Sequence, residues 1–124
     1  SSASYKRQQL ADYALQFVGG PYQYGGSDPH TGVDCSGFTR YVYQHGAGIT
    51  LNRSSRGQAL QGKEISADQM RPGDLLFYGS KSNIDHVAMY IGEGKIVHAS
   101  TERTGITISN WNYRNPVKIR SIME

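Results

Sequence analysis

Hydrophobic and polar positions change period near the middle of the chain. Leu10, Tyr13, Ala14, Phe17 and Val18 recur at helical spacing, with Ser4 as a candidate N-cap and Gly19-Gly20-Pro21 as a stop signal, which predicts a first helix over 4–18. Residues 19–34 are dense in Gly, Pro, Ser and Asp and read as an irregular loop whose turns need positive φ. Phe38, Tyr41, Val42 and His45 then repeat a helical face, so a second helix is expected over 35–45, closed by Gly46 and Gly48. The polar stretch 52–73 predicts a short helix from Ser54 to Leu60 and a turn at Pro72-Gly73. Beyond it, Leu75–Tyr78, His86–Ile91, Lys95–Ala99, Gly105–Ser109 and Val117–Ile122 are short, rich in β-branched and aromatic residues, and separated by turn residues. Helices first and strands afterwards, without βαβ alternation, predict an α+β fold with N-terminal helices packed on one antiparallel sheet of about five strands.

A length of 124 residues with 37% hydrophobic content suits one domain over 1–124 with one core. The opening Ser1-Ser2-Ala3-Ser4 lacks Met and reads as a processing point, an expression scar or the end of a linker, so a domain excised from a longer chain is expected. No stretch approaches the roughly 20 apolar residues of a membrane span, and no membrane insertion is expected. The net charge of +3 favours an anionic partner only mildly. Lys and Arg are scattered and no nucleic-acid motif is present, so no nucleic-acid partner is expected.

The single cysteine, Cys35, excludes an internal disulfide and a Cys-rich zinc site; it is either inert filler or a reactive thiol. An inert cysteine suits a mid-helix apolar face. Cys35 instead stands at a loop-to-helix junction, where unpaired N–H groups favour a thiolate and can hold an oxyanion. Gly37 is expected to keep that first turn open to substrate.

A thiol nucleophile needs a base, and four histidines compete. His30 lies in the Gly-rich loop and reads as a solvated turn residue. His45 is nearly three turns along the same helix from Cys35, about 15 Å by helical rise, and suits a cation at a helix C-terminus. His86 opens an apolar strand and His98 lies near the end of the next. If Gly92-Glu93-Gly94 forms a three-residue loop, Ile91 faces Lys95, Ala88 faces His98, and the two histidines share a face one diagonal step apart; a two-residue turn would send them to opposite faces. The three-residue loop is expected. One histidine then moves the thiol proton while the other fixes its tautomer. Zinc held by Cys35, His86 and His98 is the rival, weakened by the lack of a short paired-ligand spacing.

Several blocks together resemble the NlpC-type cell-wall peptidases, small papain-like enzymes that cut peptidoglycan stem peptides. They are Pro21–Gly26 (PYQYGG), Asp34–Phe38 (DCSGF), Arg53-Ser54-Ser55 with Gln58, Arg71–Phe77 (RPGDLLF), His86–Gly92 (HVAMYIG) and Val97–Ser100 (VHAS). The resemblance implies Cys35 as nucleophile, His86 as base, His98 as the third polar residue, and Tyr22 beside the thiolate, helping to shape the oxyanion and substrate site. It implies that Asp34 and Ser36 contact the amino end of the substrate, with Arg53 and Ser55 lining the cleft. Each has a plainer alternative: Tyr22 as a packed loop aromatic, Asp34 as a helix cap, Ser36 in the first turn, Arg53 as a surface charge. The implied reaction is hydrolysis between γ-D-glutamate and the third stem residue, meso-diaminopimelate or L-lysine, in the cell wall or periplasm by a secreted, monomeric enzyme that uses no metal or other cofactor. The alternatives are an N-acetylmuramoyl-L-alanine amidase or acyltransferase with the same triad, and a non-catalytic wall-binding module.

Overall fold

The computed structural model describes residues 2–123, so the two ends of the expected 1–124 domain lie outside the described residues. The elements run α1 (Ser2–Leu15), β1 (Ser27–Asp28), β2 (Gly32–Val33), α2 (Cys35–Ala47), α3 (Ser55–Gln58), β3 (Lys63–Glu64), β4 (Leu75–Ser80), β5 (Asn83–Gly92), β6 (Lys95–Thr101), β7 (Gly105–Asn110) and β8 (Lys118–Ser121). The first helix starts two residues before Ser4, which is therefore not its N-cap. It also ends three residues short of the expected 18, giving way to turns before Gly19 at φ 94°. In α2 the helix runs through Gly46; the left-handed Gly48 (φ 68°) is what stops it, with its N–H on the Gln44 and Tyr43 carbonyls. The 19–34 loop contains the small β1–β2 hairpin.

The main sheet has six strands in the order β3-β8-β4-β5-β6-β7, every pair antiparallel. Five correspond to the expected strands. The sixth, β3, is two exposed residues at an edge, too short to carry any hydrophobic period.

Leu10 and Ala14 of α1 and Phe38, Val42 and Tyr43 of α2 pack on Leu75, Phe77, Val87, Met89, Val97, Ala99 and Ile106 of the sheet, forming the main core. Each such large apolar side chain contributes about 1.5–3 kcal/mol when fully buried. On the opposite face Leu76, Tyr78, Ala88, Ile96 and Ile119 make a smaller cluster edged by Tyr90 and Trp111. The sheet is thus buried on both sides, which is why β4, β5 and β6 read as near-continuous apolar runs instead of clean alternation.

A fully buried ion pair ties α1 to the sheet. Arg7, 1% exposed, donates from Nη1 to Asp74 Oδ1 at 2.8 Å and to the Pro72 carbonyl at 3.0 Å. Its Nη2 donates to Ser121 Oγ at 2.8 Å and to the Met123 carbonyl. The other Asp74 oxygen accepts from the Arg71 N–H at 2.9 Å. Arg7 stands one turn before Leu10 on the buried side of α1, but nothing in the sequence pairs it with a residue 67 positions away.

Candidate active site

Cys35 is the first residue of α2, and Asp34 before it adopts extended backbone and caps the helix, its Oδ1 accepting from the Gly37 N–H at 2.8 Å. Gly37 does not hold space open for a substrate, as the sequence suggested. A Cβ there would lie 2.4 Å from the Gly26 carbonyl oxygen and 2.9 Å from Asp34 Oδ1, so glycine is what lets the 19–34 loop close onto the helix. That closure carries Tyr22 to the thiol: Tyr22 bridges to Val33, the Gln23 N–H donates to the Val33 carbonyl at 3.2 Å, and the Val33 N–H donates to the Pro21 carbonyl at 3.2 Å.

The two histidines meet, by a route different from the expected one. Gly92, not Ile91, faces Lys95, and the turn has two residues, Glu93 (φ 55°) and Gly94 (φ 75°), both at the positive φ that a tight hairpin with matching twist demands. A bulge between Tyr90 and Gly92 absorbs the odd residue, so that Met89 faces Val97 and the register beyond is the one a three-residue loop would have produced. His86 Nε2 and His98 Nδ1 consequently face each other at 2.7 Å. On the far side His98 Nε2 lies 2.9 Å from Ser109 Oγ of β7. His86 is 8% exposed and His98 1%, so the chain of groups runs inward from the cleft. Two nitrogens at 2.7 Å share a proton and are too close to be separate ligands of one zinc ion, whose bonds to each would be about 2.0–2.1 Å at tetrahedral angles. Among the described residues no three His, Cys, Asp or Glu side chains gather where a metal ion could be held.

Two hollows open on either side of the thiol and share Tyr22, Cys35 and Asp85. The first, about 490 Å³, includes Asp34, Ser36, Arg53 and Ser55, the four residues proposed for substrate contact. The second, about 420 Å³, includes His86, Tyr113 and Arg114. A hollow of similar size near Gly62, Arg71 and Met123 contains neither Cys35 nor either histidine of the pair.

Arg53 is not a loose surface charge. It donates to Ser36 Oγ at 2.9 Å, the Gly26 carbonyl at 3.0 Å and Asp34 Oδ2 at 3.1 Å. Behind it Gln58, fully buried, accepts from Thr39 Oγ1 at 2.7 Å and donates to the Ser36 and Asn52 carbonyls at 3.0 and 2.9 Å. The first turn of α2 is therefore braced by the segment just before and within α3. His30 and His45 stand apart: His30 is exposed and paired with Asp28 at 2.8 Å, and His45 stacks on Tyr41 at 3.9 Å.

The electrostatics depart from the thiolate expected at a helix terminus. Burial pushes the Cys35 thiol above its ordinary pKa, and the Asp34 carboxylate adds to that; backbone N–H groups of Val87, Ser36 and Cys35 offset it only in part. Because Asp34 occupies the cap, the positive end of α2 is already partly answered before the thiol ionises. Burial also lowers His86 to about 3, helped by His98 and Arg114, and lowers His98 to about 4. Tyr22 is raised by burial and then by Cys35 and Asp34, so its hydroxyl stays protonated as a donor. The resting site is a neutral thiol beside a neutral imidazole.

Sequence reasoning missed Ser109, Tyr113 and Arg114. Ser109 shares a β7 face with Thr107, the partner of His98, but a bulge between Ala99 and Thr101 hides that register from simple counting. Tyr113 and Arg114 belong to the β7–β8 loop and carry no periodic signal. Tyr113 packs edge-on to His98 at 5.3 Å, and Arg114 lies over Tyr78 at 5.7 Å while holding Asp85 through two bonds of 2.9 and 3.1 Å.

A helix-borne cysteine set against a histidine pair on an antiparallel sheet defines an α+β domain of the papain-like class. The sequence profile of the NlpC/P60 family matches residues 19–120, and the chain belongs to that family. It is 41% identical over 108 residues to the Gamma-DL-glutamyl hydrolase of Bacillus subtilis, covering 86% of this chain and 25% of that protein. It is 37% identical over 106 residues to the Murein DD-endopeptidase MepS/Murein LD-carboxypeptidase of Escherichia coli, covering 86% of this chain and 55% of that protein. Among solved structures, the NlpC/p60 domain of the peptidoglycan hydrolase SagA superposes with a TM-score of 0.86 at 35% identity, covering 94% of this chain and 98% of that one. The chain spans a quarter of the Bacillus relative and about half of the Escherichia one.

Proposed function

We propose that this domain is a cell-wall cysteine endopeptidase that hydrolyses peptidoglycan stem peptides between γ-D-glutamate and the third residue. The observation that carries the reading is the joined set of Cys35 at the α2 N-terminus, Tyr22 and His86 lining one cleft, with a buried His98 behind His86 at 2.7 Å. Relatives named as a γ-DL-glutamyl hydrolase, a murein endopeptidase and a peptidoglycan hydrolase support the substrate class. The names of the first two imply different bonds, and the γ-DL-glutamyl hydrolase is the one whose name matches the bond proposed here.

In this mechanism Nδ1 of His86 removes the Cys35 proton as sulfur attacks the carbonyl carbon. The Nε2–H of His86 donates a hydrogen bond to His98 Nδ1, and the Nε2–H of His98 in turn donates to Ser109 Oγ; the chain fixes both tautomers. Helix N–H groups at Cys35 and the Tyr22 hydroxyl stabilise the oxyanion. The imidazolium then protonates the departing amine, and water, activated by His86, hydrolyses the thioester. Asp34 and Ser36 receive the amino end of the substrate, and Arg53 and Ser55 line that side. In this reading the domain acts outside the cytoplasm, on the cell wall.

The test is digestion of purified muropeptides of both third-residue types by the domain and by Cys35→Ala, with products identified by mass. Release of a diaminopimelate- or lysine-led peptide by the wild type alone supports the reading. Release of the whole stem from the sugar favours the amidase, and intact muropeptides with both proteins, bound but uncut, overturn catalysis.

A further inference from the structure

The second hollow, on the His86 side of the thiol, carries an ion pair that the mechanism does not use. Asp85 and Arg114 project into it from adjacent elements, the start of β5 and the β7–β8 loop. Their bidentate contact leaves both ends in solvent, with side-chain exposures of 53% for Asp85 and 41% for Arg114. Exposed pairs of this kind contribute only about 0–1 kcal/mol to folding. The geometry nevertheless holds the guanidinium firmly: its carbon sits 5.7 Å over the Tyr78 ring, the Tyr113 hydroxyl lies beside it, and Tyr78 is itself anchored by a 2.7 Å bond to the Trp111 carbonyl. A guanidinium has five N–H donors, of which Asp85 takes two and the Tyr113 hydroxyl engages another, so Arg114, which lines the hollow, keeps donors to spare.

The two walls of the cleft differ in this respect. On the Asp34 side Arg53 is spent on Ser36, Gly26 and Asp34, all within the protein. On the His86 side a cation and an anion are presented side by side and half exposed. Such a pair is complementary to a free α-amino-acid group, with the ligand carboxylate on Arg114 and the ligand ammonium on Asp85.

We infer that Asp85 and Arg114 form a subsite for a zwitterion on the leaving side of the scissile bond, and so select a third stem residue whose side chain ends in a free amino and carboxyl group, as meso-diaminopimelate does, over one ending in a lone ammonium, as L-lysine does. This rests on the endopeptidase reading above, in which the leaving side holds the third residue. Arg114 also has an electrostatic consequence for His86, since its positive charge opposes protonation of that imidazole. A carboxylate seated on Arg114 offsets that charge and makes His86 the stronger base, so the preferred substrate sharpens its own catalyst.

The experiment measures kcat/KM for two L-alanyl-γ-D-glutamyl peptides, one with meso-diaminopimelate and one with L-lysine third, on wild type, Arg114→Ala, Arg114→Lys and Asp85→Asn. A third peptide carries diaminopimelate with its distal carboxyl amidated, and a thermal melt of each variant checks the fold. Wild type is expected to favour free diaminopimelate over both other peptides, and Arg114→Ala to shrink that preference by about 10- to 100-fold, the range for one charged hydrogen-bonding partner. Arg114→Lys restores part of it, because a point charge attracts the carboxylate without the planar fork. Asp85→Asn lowers turnover of the diaminopimelate and lysine peptides together, since both present an ammonium. Equal wild-type rates on the three peptides, or a preference untouched by Arg114→Ala, overturn the subsite while leaving the endopeptidase standing. No cleavage at the γ-D-glutamyl bond in any peptide is instead the failure of the parent reading.

Discussion

Arg7–Asp74 and Arg114–Asp85 are the same chemical pair in opposite surroundings. The first is sealed between α1, the turn before β4 and the C-terminal residues, with Arg7 donating to four oxygens and Asp74 also accepting from the Arg71 N–H; the second sits at the mouth of the cleft with both members near half exposed. Burial decides what each pair is for. A sealed pair cannot lose one member without stranding the other charge in a low-dielectric interior, so it holds elements in place. An open pair exchanges its partner with water or a ligand at little cost, so it is available for recognition. The His86–His98 pair lies between these extremes: both imidazoles are buried like the first pair, while His86 alone lines the cleft as the second pair does.

The contrast is broken most strongly at Arg7. Arg7→Ala is expected to destabilise the domain by about 3–5 kcal/mol by leaving Asp74 buried and unpaired, measured by urea unfolding. A loss below 1 kcal/mol would mean that the sealed pair does not hold α1 to the sheet.

The histidine pair predicts acid lability. Folded His86 and His98 titrate near 3 and 4, below the ordinary 6.5, so the unfolded chain takes up protons that the folded one refuses. Their contribution is complete above about pH 6.5 and is lost as the pH falls toward those folded values, at up to about 1.4 kcal/mol per pH unit for each histidine. Melting followed from pH 7 to 4.5 should show the loss, with a shallower slope in His98→Gln; equal slopes would place the imidazoles in water.

The thiol gives a kinetic counterpart. With Cys35 raised by burial, its alkylation by iodoacetamide should keep accelerating through pH 9 in wild type. A plateau reached already at pH 5 would mean a standing thiolate–imidazolium pair instead of proton transfer during attack.

The smallest effect belongs to the open pair. Arg114→Ala should change folding stability by less than about 1 kcal/mol, despite its two short bonds, in the same urea assay used for Arg7. A loss approaching that of Arg7→Ala would make Arg114 a structural residue and remove the contrast.

Much of this architecture was legible before any coordinates. Helical spacing located α1 and α2, β-branched runs separated by turn residues located five of the six strands, and the junction at Asp34-Cys35 marked the candidate nucleophile, because local periodicity and capping chemistry are written in neighbouring residues. The histidine pairing was legible in outcome but not in cause. A two-residue turn at Glu93-Gly94 and a bulge at Ile91 cancel, and sequence spacing records only their sum. Gly37 shows the same limit: its position beside the cysteine was plain, while its reason, the Gly26 carbonyl pressed against the helix, comes from a loop eleven residues upstream in the chain.

By itself, then, the amino-acid order determined the class of fold and the order of its elements, and it singled out Cys35, His86 and His98 as candidates. Tertiary structure alone decided which charges were sealed and which were left open, that Ser109 ends the histidine chain, and that Asp85 and Arg114 stand together at the cleft. Those facts depend on contacts between segments far apart in sequence, on burial that sets each group's protonation, and on a loop without periodicity, none of which a local pattern encodes.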